Sequence, residues 1–170
     1  MNKKKFFYIN YVEYSEKTGQ GSHERNVINN LCNANVDKTI ITPIFTENSE
    51  IPTNINAYKL KNKSFFSALK YQIYICKKLI SERINGGENV LFMRLSPTFF
   101  FPTLTAKLLK MKITIRSGPI FSKLQNTKYN PSNFPGLFSR LLSRLILNIN
   151  YKCASKIIVV TDTIRDNIRR

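Results

Sequence analysis

Near the amino terminus, Thr18-Gly19-Gln20-Gly21-Ser22-His23-Glu24 brings together two glycines, two hydroxyls, a carboxylate and the only histidine of the chain. Glycine can take φ > 0 and lets a ligand approach the backbone, and the first N–H groups of a helix lack internal partners and favour an anion. The segment is therefore a candidate phosphate or sugar edge, against the plainer reading of a strand-to-helix turn. His23 could act as a base or donate to a phosphate, against the plainer reading of an exposed helix-start residue. Glu24 and Glu13 are alternative bases, yet neither has a recognisable carboxylate partner in the sequence. A dinucleotide fingerprint would need a third glycine where Glu24 stands, and a P-loop would need Gly-Lys-Ser/Thr, which is absent. Farther on, Arg94 and Arg116 end two short apolar runs. At the ends of successive parallel strands they would lie where such sheets bind ligands, suited to hold an anion rather than to catalyse, with surface salt bridging as the competing reading.

The elements that must position these residues follow from periodicity. Residues 6–12 read as a short buried strand, and residues 22–34 as a helix with Val27, Ile28 and Leu31 on one face. Thr39-Ile40-Ile41-Thr42, ended by Pro43, is a second strand, and residues 55–60 are a third. Ser64 can cap a long helix in which Phe65, Leu69, Ile73, Cys76 and Ile80 recur at helical spacing, stopped by Gly86-Gly87. Val90-Leu91-Phe92-Met93 forms the next run. After Ser96-Pro97 a helix starts at Pro102 and carries Leu104 and Leu108 inward, giving way to Ile113-Thr114-Ile115. A loop rich in Asn, Pro and Ser precedes a helix over residues 135–151, with Phe138, Leu141, Leu142, Leu145 and Ile149 on one side. Ile157-Ile158-Val159-Val160 follows, then a final helix start capped by Thr163 with Asp166 reaching back. Strands this continuously apolar have no wet face, so the alternation predicts an α/β, Rossmann-like parallel sheet with helices on both faces.

At 170 residues and 42% hydrophobic content the chain is the size of one domain with a real core. Its formal charge of +17 favours an anionic partner: a phosphorylated ligand, an acidic bilayer face or nucleic acid. Cys32, Cys76 and Cys153 are odd in number and lack C-x-x-C spacing, so they read as reduced core residues, and no metal site is expected. Lys3-Lys4-Lys5 before Phe6-Phe7-Tyr8-Ile9 imitates a signal peptide, but Asn10 and Glu13 break the apolar run and no cleavage site follows. No apolar stretch reaches the ~18 to 20 residues of a spanning helix, so any membrane contact is expected to be peripheral. In residues 135–151, Arg140, Arg144 and the following Lys152 interleave with the leucine stripe, which reads as core or as a docking face for an anionic membrane.

Several segments carry a family likeness. Gly19-Gln20-Gly21-Ser22 follows the first strand, and the next helix ends before Asp37-Lys38-Thr39-Ile40-Ile41-Thr42-Pro43. Asn89-Val90-Leu91-Phe92-Met93-Arg94 is a strand ending in arginine. Cys153-Ala154-Ser155-Lys156-Ile157-Ile158-Val159-Val160-Thr161, with Arg165 after it, is the most specific stretch. In this order they resemble the N-terminal, acceptor-side half of a GT-B glycosyltransferase, of the family-four-like group of sugar-nucleotide-dependent enzymes. The resemblance implies that Gly19, Gln20, Gly21, Ser22, Arg94, Arg116, Ser117 and Gly118 face an interdomain cleft and bind substrate, with His23 and Glu24 the weak catalytic candidates. Many relatives place a histidine where Arg116-Ser117-Gly118 stands. A family member would also continue past Arg170 into a C-terminal donor domain with paired glutamates.

The resemblance thus implies one Rossmann-like domain over residues 1–170, binding a sugar or lipid-linked acceptor for surface polysaccharide or glycolipid synthesis. It would hold no cofactor of its own. The nucleotide-sugar donor would come with a C-terminal domain or a partner chain, so that this chain by itself is incomplete. A cytoplasmic location, peripheral on the inner face of the membrane, is expected. The alternatives are a basic module binding RNA or DNA and an inactive truncated remnant. Nucleic acid is the weaker alternative, since most Phe and Tyr fall in core-like runs and not in a basic-aromatic stacking pattern.

Overall fold

A computed structural model of the chain describes residues 3–12, 19–44, 55–60, 64–96, 99–117 and 136–159. Its strands are β1 (Lys4–Ile9), β2 (Asp37–Ile44), β3 (Ile55–Lys59), β4 (Glu88–Arg94), β5 (Lys112–Ser117) and β6 (Lys156–Val159). Between them run α1 (Gly19–Asn33), α2 (Phe65–Glu82), α3 (Phe101–Leu108) and α4 (Gly136–Cys153). The strands form one sheet in the order β3-β2-β1-β4-β5-β6, every neighbouring pair parallel. Chain direction reverses its march across the sheet between β3 and β4, and the resulting crevice beside the C-terminal ends of β1 and β4 is where open α/β sheets hold ligands. The α/β, Rossmann-like parallel sheet expected from the alternation is the architecture found.

Strand alternation sorts the side chains into two cores. Phe7, Ile9, Ile41, Leu91, Met93, Ile113 and Ile115 point to one face, where Tyr71, Ile75 and Leu79 of α2, Ala106 of α3, and Leu147 and Tyr151 of α4 cover them. Tyr8, Ile40 and Ile55 point to the other, where Ile28 of α1 is buried with Val27, Leu31 and Phe92 around it. Each fully buried Leu, Ile or Phe contributes about 1.5–3 kcal/mol, so the larger face dominates the stability. The Val27, Ile28 and Leu31 stripe read from the sequence is the one that α1 buries.

Helix ends are satisfied locally and from neighbours. Ser64 caps α2, its side chain accepting from Ser67 N at 3.3 Å, as its hydroxyl suggests. The start of α3 has no side-chain cap of its own; buried Gln72 of α2 reaches across, its Oε1 accepting from Phe100 N and Phe101 N at 3.1 Å each. At the far end of α1, Lys38 Nζ donates to Cys32 O at 2.9 Å and to Ala34 O, placing a cation against carbonyls left without helical partners.

Four sequence expectations change. First, α1 begins at Gly19 instead of Ser22, so Gly19 and Gly21 lie in a helix and not in a left-handed turn. Second, α2 turns Ala68, Tyr71, Gln72, Ile75 and Leu79 inward, while Phe65, Ile73 and Ile80 are exposed. Third, α3 buries Pro102, Thr103 and Ala106, and leaves Leu108 83% exposed with Leu104 only half-buried. Fourth, Leu141, Leu142 and Leu145 of α4 are exposed, the inward positions being Asn150 and, half-buried, Leu147 and Tyr151. The three cysteines form no disulfide with one another and are half-buried, Cys32 packing against the smaller core and Cys153 against the larger. The stop of α2 lies at Arg83, ahead of Gly86-Gly87. Those glycines build the turn into β4: Gly86 has φ +72°, and a Cβ on Gly87 would stand 2.6 Å from Lys3 O. The final helix start at Thr163 and Asp166 lies outside the described residues.

Candidate functional site at the C-terminal edge of the sheet

The register of β4 and β5 sets Arg94 directly beside Arg116, and that of β1 and β4 sets Tyr8 beside Phe92, one pleat below. Side chains two residues apart share a face, so Tyr8, Asn10, Arg94 and Arg116 all rise on the α1 side of the sheet at its C-terminal edge. Over them lies Glu24, which α1 brings down from its second turn and which is fully buried.

One carboxylate thereby meets two hydrogen-bond donors and a second guanidinium. Arg94 Nη1 donates to Glu24 Oε1 at 2.8 Å, and Tyr8 OH donates to Glu24 Oε2. Arg116 Nη1 stands 3.5 Å from Glu24 Oε1, an ion-pair contact without hydrogen-bond geometry, and this nitrogen has no hydrogen-bond partner among the described residues. Burial, reinforced by the negative charge of Glu24, pushes the Tyr8 phenol well above its ordinary range, so it stays a neutral donor. Asn10, at the end of β1, is also fully buried. Its Oδ1 accepts from Thr42 Oγ1 at 3.1 Å and its carbonyl accepts from Tyr71 OH at 2.9 Å, while its Nδ2 is unpartnered among the described residues.

The cluster holds two guanidiniums against one carboxylate and keeps a net positive charge, with unused donors on Arg116 and Asn10. An arrangement of this kind can recognise an anion. The Glu24 carboxylate, without solvent contact and engaged by Tyr8 and Arg94, orients the arginines.

The structure brings Arg94, Arg116 and Glu24 together, and it separates other residues from them. Ser117 is buried on the opposite face, its Oγ 3.2 Å from Tyr151 OH of α4. His23 and Ser22 are exposed on α1, and Gly21 is buried in its first turns. Gly19 and Gln20 open α1. Gly118 and Glu13 lie outside the described residues. Tyr8 and Asn10 were missed by sequence reasoning; a signal existed in the amide that ends the apolar run at Asn10. Among the described residues no group of three or more His, Cys, Asp or Glu comes together.

No family model and no curated protein matches the chain. Solved structures do, among them that of Phytolacca americana UGT2 complexed with UDP-2fluoro-glucose and pterostilbene, at a TM-score of 0.47 and 7% identity, covering 96% of this chain and 48% of that one. The chain spans about half the length of that structure. At this score and identity no residue role passes from one to the other.

Proposed function

We propose that this chain is the acceptor-side half of a glycosyltransferase, holding a sugar phosphate or lipid-linked acceptor at the C-terminal edge of its sheet. The nucleotide-sugar donor would be held by a C-terminal domain or a partner chain. The observation that carries the reading is the buried cluster of Glu24, Arg94 and Arg116, whose excess positive charge lies beside the crevice of a parallel sheet. The order of segments that resembles the family-four-like group supplies the reaction class. In such a reaction a cleft aligns donor and acceptor and stabilises the departing diphosphate, so the acceptor half contributes binding and orientation.

In this reading Arg94 and Arg116 take the anion, with Asn10 as a further donor, and Glu24 and Tyr8 keep the guanidiniums in place. Titration of the chain with inorganic phosphate and with glucose 6-phosphate, followed by amide chemical shifts, tests it. Shifts centred on Arg94, Arg116 and Asn10 are expected, with at least tenfold weaker binding in Arg116→Ala. A lysine at the same position keeps the charge and loses the fork, and should fall between the two. Unchanged affinity in Arg116→Ala would remove the cluster from the site. The reaction class has its own test: a second Rossmann-like sequence with paired glutamates after Arg170 or encoded beside it supports transfer, and an unrelated sequence speaks against it.

A further inference from the structure

The helices α2, α3 and α4 form one layer over the larger face of the sheet, α3 touching both of the others. The outer surface of that layer is unusually apolar. Phe66 (72% exposed), Ile73, Phe101, Leu108, Leu141 and Leu145 all open to solvent there. Among them stand exposed Lys70, Lys77, Lys107, Arg144 and Lys152. Neither α3 nor α4 contains an acidic residue, and the only one in α2, Glu82, is taken by Lys78 Nζ at 2.7 Å and Thr39 Oγ1 at 2.6 Å.

We propose that this surface docks on an anionic lipid bilayer. Exposed leucines and phenylalanines interleaved with lysine and arginine, without carboxylates, match an interface that offers hydrocarbon below a layer of negative headgroups. A second copy of the chain does not fit, because two such faces would oppose lysine to lysine. A nucleic acid satisfies the cations but leaves the leucines of α4 in water. No helix among the described residues is long and apolar enough to cross a membrane, so the contact is superficial. The surface lies on the other side of the sheet from Glu24, and its failure would leave the anion site untouched.

Flotation of the full chain with vesicles tests the proposal, comparing phosphatidylcholine alone with a mixture containing phosphatidylglycerol. Binding to the anionic vesicles is expected to exceed binding to neutral ones by at least tenfold and to weaken steeply between 50 and about 500 mM salt as screening shortens. The double variant Leu141→Gln, Leu145→Gln should lose at least tenfold in affinity with an unchanged circular dichroism melt. Phe66→Ser, on a different helix, reads the same surface should the α4 variant misfold. Equal binding to neutral vesicles, no binding to either, or variants that bind like the parent would each overturn the proposal. So would a salt-sensitive oligonucleotide complex or a dimer that the leucine variants abolish while vesicle binding persists.

Discussion

At the C-terminal edge of the sheet Glu24 is shut away from water between Tyr8, Arg94 and Arg116, whereas at the N-terminal edge Glu88 lies between Lys4 at 3.7 Å and Lys112 at 3.0 Å in the open. Glu82 stands between the two, half-buried, with Lys78 at 2.7 Å and Lys5 at 3.7 Å. Both ends set one carboxylate among two cations, and burial alone separates their consequences. In water such pairs are worth little and can be broken cheaply. Out of water, the loss of one partner strands the other charges. The C-terminal edge thus keeps a costly and specific charge arrangement at the proposed acceptor site, while the N-terminal edge holds more exposed pairs that tie element ends together.

The largest effect that would break this contrast is at Glu24. Glu24→Ala removes the only described counter-charge of Arg94 and Arg116 and should destabilise the chain by about 3–5 kcal/mol in urea unfolding. A loss below that of an exposed pair would show that water reaches the cluster. Next comes Gly87→Ala at the N-terminal edge, where the new Cβ would press on Lys3 O at 2.6 Å; a cost of about 1–3 kcal/mol is expected, from backbone crowding and not from charge. Tyr71→Phe deletes a buried hydroxyl that donates to Asn10 O at 2.9 Å and contacts Ile41 O at 3.2 Å, with an expected cost of about 1–2 kcal/mol in the same assay.

The pairs at the N-terminal edge give smaller, pH-dependent effects. Burial by itself would raise the Glu82 carboxyl, but hydrogen bonds from Lys78 and Thr39 and the charges of Lys78 and Lys5 more than offset it and hold it below the ordinary range. Its contribution is therefore present above the ordinary carboxylate value of about 4.3 and is lost as pH falls through the lower folded value. Lys78 is raised, chiefly by its hydrogen bond to Glu82, so its share is complete below about 10.4 and disappears as pH rises through the higher folded value. Glu82→Gln should cost about 0.5 kcal/mol at neutral pH and flatten the acid limb of a melting-temperature profile. Glu88→Gln, the smallest change, should leave the denaturation midpoint where it is; a clear shift there would erase the distinction between the two edges.

Much of the fold was legible in the sequence because its signals are local. Apolar runs separated by helical stretches, the Ser64 cap, and the Val27, Ile28 and Leu31 stripe each depend on residues within a few positions of one another. The helices of the larger face were harder for a physical reason: α2 carries apolar residues around most of its circumference, and periodicity cannot say whether Tyr71 and Ile75 or Phe65 and Ile73 meet the sheet. The same ambiguity put Leu108 inward when it points to solvent, and left Leu145 open between core and surface. Of the site, Arg94, Arg116 and Glu24 were named from the sequence. Their union was not, since Glu24 and Arg94 stand 70 residues apart.

By itself the sequence determined the kind of molecule: an alternating α/β chain, strongly basic, with arginines closing two of its strands. Periodicity and charge are properties of the chain, and they survive without knowledge of what packs where. The tertiary structure alone decided that Glu24 would be withdrawn from water and spent on orienting two arginines, and which stripes of α2, α3 and α4 would stay outside. Those outcomes depend on distances between residues remote in sequence and on which charges lose their solvent.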